Sequence, residues 1–235
     1  MIYGILGTIQ DRAYQPTVIQ RPSDCGNGKT TALTHILYQE FVQKDRKVIA
    51  NFHTRFPGAP WGSPTWSEYR TAQEIFDIWL EVDEDHPDFG AIIGITEIES
   101  ILNSAAREGK VIKHIEKCLN QRRKNEWDIA WDSQVLGSAD KRWRQKTDFL
   151  YHPEKWHCAW SPEYECFIPT EPCPLDICHE RHQILIYQEY PLPPSIEEML
   201  KPVMILNSWE VGQLFDTREK MKDTIHFNPA WEHQE

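Results

Sequence analysis

No stretch of this 235-residue chain approaches the roughly 20 consecutive apolar residues that cross a bilayer. The longest apolar runs, such as Ala91 to Ile95 and Ile184 to Tyr187, are far shorter, and the first residues lack the basic region of a secretory signal. The expectation is a soluble, intracellular protein without a membrane span. Basic residues are also scarce, with 25 Lys and Arg against 36 Asp and Glu for a net charge of −11. That balance argues against a protein whose entire surface coats nucleic acid, and leaves room only for a local basic patch. There is no C-x-x-C pair, no internal repeat and no low-complexity segment. Two of the six cysteines, Cys25 and Cys118, stand alone, and an evenly spaced secreted disulfide framework is not the expectation at this size.

What is present describes one globular domain, residues 1–235, with 40% hydrophobic and 26% charged residues. Ten tryptophans stand mostly alone in amphipathic contexts, which reads as packing. Met1 to Gly7 reads as a buried strand and Thr17 to Gln20 as a weaker one, either of which could lead into the glycine-rich turn Cys25 to Gly28. From Lys29 the spacing of Leu33, Ile36, Leu37 and Phe41 predicts a helix, followed by a strand over Lys47 to Phe52. A helix over Thr71 to Leu80, a strand over Phe89 to Ile95, a helix over Glu108 to Lys124 and a strand over Trp127 to Trp131 follow. A charged helix over Asp140 to Thr147 precedes strands starting at Asp148, Arg181 and Val203. Helices alternating with buried strands predict an α/β fold with a largely parallel sheet flanked by helices.

Chemistry concentrates at three strand ends. Ser23-Asp24-Cys25-Gly26-Asn27-Gly28-Lys29-Thr30-Thr31 resembles the Walker A pattern G-x-x-x-x-G-K-[ST], with Ser23 where the first glycine belongs. Glycines let successive N–H groups turn inward around phosphate oxygens, Lys29 reaches the β- and γ-phosphates, and the Thr30 hydroxyl suits Mg²⁺. Gly26, Asn27, Gly28, Lys29, Thr30 and Thr31 are therefore the candidate nucleotide contacts. Ile95-Thr96-Glu97 ends a central strand, where a carboxylate can deprotonate an attacking water. Thr96 stands where an aspartate is usual, so the indirect hold on Mg²⁺, through the ion's own ligands, would have to come from a hydroxyl. Gln134, ending the next strand, can hydrogen-bond both a γ-phosphate and that water.

These motifs, with KVIANFH, LNQRRKNEWDIAWDSQ, DKRWRQKTDFLY and LFDTREK, resemble the HerA/FtsK superfamily of P-loop NTPases, whose domain is RecA-like. Within it the likeness is to the genome-packaging ATPases of archaeal viruses, with the Zot-like morphogenesis ATPases of filamentous phages second. The resemblance implies a ring-forming, hexameric ATPase that binds ATP and Mg²⁺, moves double-stranded DNA and meets capsid proteins. Its place would be the host cytoplasm or the virion. It also implies an arginine acting in trans on a neighbour's nucleotide, with Arg122, Arg123, Arg142 and Arg144 as candidates. Residues 107–124 carry seven basic residues against Glu108 and Glu116, a local charge of +5 that suits contact with phosphates rather than base edges. Two other readings are a degenerate P-loop assembly factor, motivated by Ser23 and Thr96, and a small-molecule kinase.

Cys158, Cys166, Cys173 and Cys178 fall within 21 residues of a Pro-rich stretch flanked by His157, His179 and His182. They are candidate ligands for a structural Zn²⁺, against the plain reading of buried or free thiols. With Pro153, Pro162, Pro169, Pro172 and Pro174 in it, the stretch at about 152–182 reads as a peripheral loop insertion dispensable for ATP binding.

Overall fold

Successive residues of the short central strands point to opposite faces of a sheet, and here both faces are apolar. The computed structural model describes residues 1–8, 28–56, 67–105, 109–135, 141–173, 180–189, 202–215, 225–226 and 228–230. Its elements begin with β1 (Ile2–Thr8), α1 (Lys29–Lys44), β2 (Val48–Ala50), β3 (Ser67–Tyr69), α2 (Ala72–Ile78), β4 (Ile92–Ile95) and α3 (Ile98–Ala105). They continue with α4 (Gly109–Gln121), β5 (Asp128–Val135), α5 (Lys141–Lys146), β6 (Phe149–Ser161), β7 (Cys166–Pro172), β8 (His182–Glu189) and β9 (Met204–Asn207).

The sheet order is β3-β2-β4-β5-β1-β6-β8-β9, with β7 paired to β6. From β3 to β6 every pairing is parallel, whereas β6-β8, β8-β9 and β6-β7 are antiparallel. The α/β expectation is met, with a parallel half that carries an antiparallel extension. Of the two strands offered for the chain's start, β1 lies in the middle of the sheet between β5 and β6, and Thr17 to Gln20 lies outside the described residues.

Period two divides the core. Val48, Ala50, Ile92 and Ala130 face α1, together with Ile184 and Ile186. Ile49, Ile93, Ile95, Ile129 and Trp131 face α2, α3, α4 and the buried Trp143 of α5. Gly94 sits under α1 because a Cβ there would come within 2.5 Å of Leu37 Cδ1, so the missing side chain sets how closely α1 approaches β4. Trp79, Trp127, Trp131 and Trp143 are fully buried, and Trp79 packs on Phe76 and Trp127 at centroid distances of 5.2 and 5.0 Å. Their role is packing. α2 starts at a Thr71–Glu74 capping box, which satisfies two of its terminal N–H groups. Fully buried Asp88 takes charge-assisted bonds from Lys47 and Arg70 and fixes the acidic loop under the strand starts.

The Pro-rich stretch corrects the loop expectation. β6 runs through Pro153 to Ser161, turns at residues 162–165 and returns as β7 through Pro169 and Pro172. Pro153 is tolerated because β1 pairs β6 only as far as Tyr151 and β7 pairs it only from Trp156 on, so its absent N–H falls where that side of β6 has no strand pairing.

Candidate functional site

The C-terminal ends of β4 and β5 and the N-terminus of α1 converge. α1 begins directly after Gly28, which adopts a left-handed conformation (φ 90°) that a side chain resists, and whose added Cβ would sit 2.8 Å from Ile184 Cδ1. No side chain caps this 16-residue helix at Gly28, so the positive end of its dipole and its first N–H groups face the strand ends. Lys29 is buried, and Thr30 and Thr31 follow it in the first turn.

Asp132 on β5 is the centre of the arrangement. It is 1% exposed and accepts four hydrogen bonds: from Thr30 Oγ1 at 3.2 Å, from Thr96 Oγ1 at 3.0 and 2.9 Å to its two oxygens, and from the Glu97 N–H at 2.8 Å. Burial pushes its pKa up to about 6, against the pull of the Glu97 N–H, Lys29 and the Thr96 hydroxyl, with Glu99 adding to the rise. A carboxylate this buried is costly unless a cation or a proton neutralises it.

Glu97 ends β4 with φ 53°, a conformation that non-glycine residues visit at a cost of roughly 1–2 kcal/mol. The twist aims its N–H at Asp132 and leaves its side chain exposed. Loss of solvent nonetheless raises its pKa, with Glu99 adding to the rise and Lys29 opposing it. Behind it Asn51, fully buried after β2, accepts from the Thr96 N–H at 2.8 Å and donates to the Thr96 carbonyl at 3.2 Å. This reciprocal amide clamp locks the end of β4 beside β5.

The structure thus brings together Gly28, Lys29, Thr30, Thr96 and Glu97. The Thr96 hydroxyl donates to Asp132 and so supports that carboxylate from the end of β4. Gln134 lies on β5 two positions beyond Asp132, and Gly26 and Asn27 lie outside the described residues. Asp132 and Asn51 are site residues that the motifs do not single out. The sequence signal for Asp132 is a lone acid directly after the strand WDIAW, and for Asn51 an amide directly after VIA.

Arg122 and Arg123 are placed apart from this end. Arg122 follows α4, donates to the Leu119 carbonyl and lies 3.4 Å from an Asp148 carboxylate oxygen. Arg122 and Arg123 line a cleft with Met1, Asp128 and Phe149 at the starts of β1, β5 and β6, the opposite end of these strands. Arg142 and Arg144 lie on α5. Along α4, Lys110 and Lys113 are exposed while Val111, His114, Ile115, Cys118 and Leu119 are buried, as the sequence pattern required.

Among the described residues Cys158, Cys166 and Cys173 are not gathered into one thiol group. Cys158 donates to the Arg181 carbonyl at 3.3 Å, Cys166 is exposed at the start of β7, and Cys178 lies outside the described residues. Among the described residues no group of three metal-ligating side chains includes Cys158 or Cys166.

No family model matches the chain, and no curated protein does. Among solved structures, the N-terminal domain of zonular occludens toxin from Neisseria meningitidis aligns at 17% identity and a TM-score of 0.45, covering 92% of this chain and 98% of that one. The genome packaging NTPase B204 of Sulfolobus turreted icosahedral virus 2, in complex with ATP-gammaS, aligns at 10% identity and a TM-score of 0.41 over 82% of this chain and 98% of that one. Its complex with AMPPCP gives 11% and 0.42 over the same shares. Among the described residues no helix is long and apolar enough to cross a membrane.

Proposed function

We propose that this chain is an ATP-hydrolysing P-loop motor that translocates double-stranded DNA, in the manner of the HerA/FtsK-type packaging ATPases. The observation that carries the nucleotide part is the bond from Thr30, in the first turn of α1, to the buried carboxylate of Asp132. A hydroxyl directly after a buried lysine at an uncapped helix N-terminus, backed by a buried acid on the neighbouring strand, is the donor set for a metal–triphosphate. Lys29 binds the β- and γ-phosphates and the first N–H groups of α1 bind their oxygens. Thr30 and Asp132 fit Mg²⁺, which when bound neutralises phosphate charge. Glu97 takes the proton of the attacking water, its raised pKa bringing it nearer the working pH of a general base. Gln134 reports the nucleotide state from the adjacent strand end.

The DNA part rests on the exposed Lys110, Lys113, Arg123 and Lys124, a basic surface on an acidic chain. In this reading the chain forms a homo-oligomeric ring, hexameric by resemblance. Arg122, Arg123, Arg142 or Arg144 reaches a neighbour's nucleotide, and the ring works in the host cytoplasm at a capsid. A nucleotide-binding assembly factor of Zot-like type would keep the site and lose the DNA coupling.

Three measurements test the proposal: affinity for a fluorescent ATP analogue, steady-state ATP turnover, and turnover with added duplex DNA. The expected result is Mg²⁺-dependent turnover that rises with duplex DNA and disappears in Lys29→Ala. Binding and turnover unchanged in Lys29→Ala would remove the P-loop assignment. Turnover indifferent to DNA would leave the assembly factor, and turnover that needs a small-molecule acceptor would leave a kinase.

A further inference from the structure

The antiparallel half of the sheet holds a second cluster that the nucleotide site does not use. His157 on β6 and His182 on β8 are directly opposite partners in the ladder, a register that sets their side chains side by side on one face. Their ring centroids are 4.9 Å apart. Cys173 follows the last residue of β7, and its N–H donates to the Lys155 carbonyl at 2.8 Å, which holds its side chain beside the same two histidines. Ligand atoms of His157, Cys173 and His182 all lie within 4.8 Å of one another.

The surroundings of these side chains point to a bound cation. His157 Nδ1 and His182 Nε2 are both buried without a hydrogen-bond partner, although buried polar atoms seldom stay so. The ring of His182 bonds instead to the backbone of Glu180, the kind of contact that orients a metal-ligating imidazole and leaves its other nitrogen as a lone pair. His157 Nδ1 has a charged neighbour, the Glu180 carboxylate at 2.5 Å, which forms an ion pair with it when the imidazole is protonated, so His182 Nε2 is the nitrogen of the two with no polar partner. A β-bulge between His157 and Cys158, where β7 skips a residue, re-aims the strand at this point.

We propose that His157, Cys173 and His182, closed on the solvent side by Glu180, form a tetrahedral Zn²⁺ site that staples β6, β7 and β8 together. Two imidazoles and one thiolate are the borderline-soft donors zinc prefers. Tetrahedral zinc places such ligand atoms about 3.3–3.6 Å apart, so the cluster closes with side-chain shifts on the order of 1 Å. Thiolate and carboxylate together balance the ion, which leaves a neutral site beside Lys155, the cation whose charge acts on His182. The ligand set contains one cysteine, and Cys158 and Cys166 are excluded from it.

The test uses the full chain, purified after expression in zinc-supplemented medium and desalted. Elemental analysis should find close to one zinc per chain, retained in Cys158→Ser and Cys166→Ser and lost in Cys173→Ser and His182→Ala. Replacement by Co²⁺ should give tetrahedral d–d bands and the charge-transfer band of a single thiolate, absent from Cys173→Ser. Glu180→Gln should keep that band while weakening zinc affinity about 10- to 100-fold. If the ligand variants do not fold, the cobalt spectrum of the unaltered chain still decides. An octahedral spectrum or a missing thiolate band overturns the site. So does a chain without zinc, zinc lost with Cys158 or Cys166, or zinc kept in both Cys173→Ser and His182→Ala.

Discussion

The Thr30 hydroxyl donates to the Asp132 carboxylate at 3.2 Å, joining the first turn of α1 to the middle of β5 across 102 positions of sequence. The bond makes Asp132 sense both the helix that would bind phosphate and, through Thr96 and Glu97, the strand end that would activate water.

Asp132→Asn should therefore separate stability from activity. The raised pKa means the folded chain holds this proton more tightly than the unfolded chain does. The associated stability is full below the ordinary carboxylate range and is lost as pH rises from about 4 through about 6. The loss is on the order of 3 kcal/mol. In the nucleotide-free state Asp132→Asn should raise the melting temperature at pH 7.5 and flatten its fall between about pH 4 and 6. It should lower Mg²⁺-dependent turnover about 10- to 100-fold. Paired melting curves and initial rates check both; an unchanged melting profile would mean that folding does not raise the Asp132 pKa.

Glu97→Gln should bind ATP with near-unaltered affinity and fail to turn it over, since the amide keeps the shape but cannot accept a proton. General-base loss costs roughly 10² to 10⁴ in rate. Single-turnover measurement on preloaded protein reads this directly. Wild-type chemistry in the variant would transfer the role, with Glu99 in the next turn as the nearest alternative.

Gly94→Ala should weaken folding by about 1–3 kcal/mol in urea titrations, because the new methyl enters the space of Leu37 Cδ1 and pushes α1 off β4. Since α1 also carries Lys29 and Thr30, nucleotide affinity should fall with it. The double variant Gly94→Ala, Leu37→Ala opens room for the methyl and should recover part of that affinity.

Replacing Lys110, Lys113 and Lys124 by Gln should leave basal ATP turnover unaltered and lower its stimulation by duplex DNA. The slope of log affinity against log salt should shrink by roughly one for each DNA phosphate that is no longer neutralised. Individual alanine variants of Arg122, Arg123, Arg142 and Arg144 should include one that loses basal turnover by roughly 10³ or more, the signature of an arginine finger.

Local pattern alone carried much of this protein. Gly28-Lys29-Thr30 marked the start of a helix because the spacing of Leu33, Ile36, Leu37 and Phe41 is local, and α1 begins there. Ile92 to Ile95 showed as a strand buried on both faces because each of its residues is apolar or Gly, and α4 showed its basic side through helical period. Asp132 was not legible, since an acid in a strand acquires meaning only from its neighbours. The sheet order put β5 between β4 and β1, and so placed Asp132 beside Thr96 and under Thr30. The prolines of 152–173 misled for the same reason: a missing N–H is costly or harmless depending on which strand lies alongside, and Pro153 falls where no pairing needs it. Likewise His157 and His182 are 25 positions apart in sequence and become neighbours through the register of β6 on β8, a non-local pairing that no periodicity encodes.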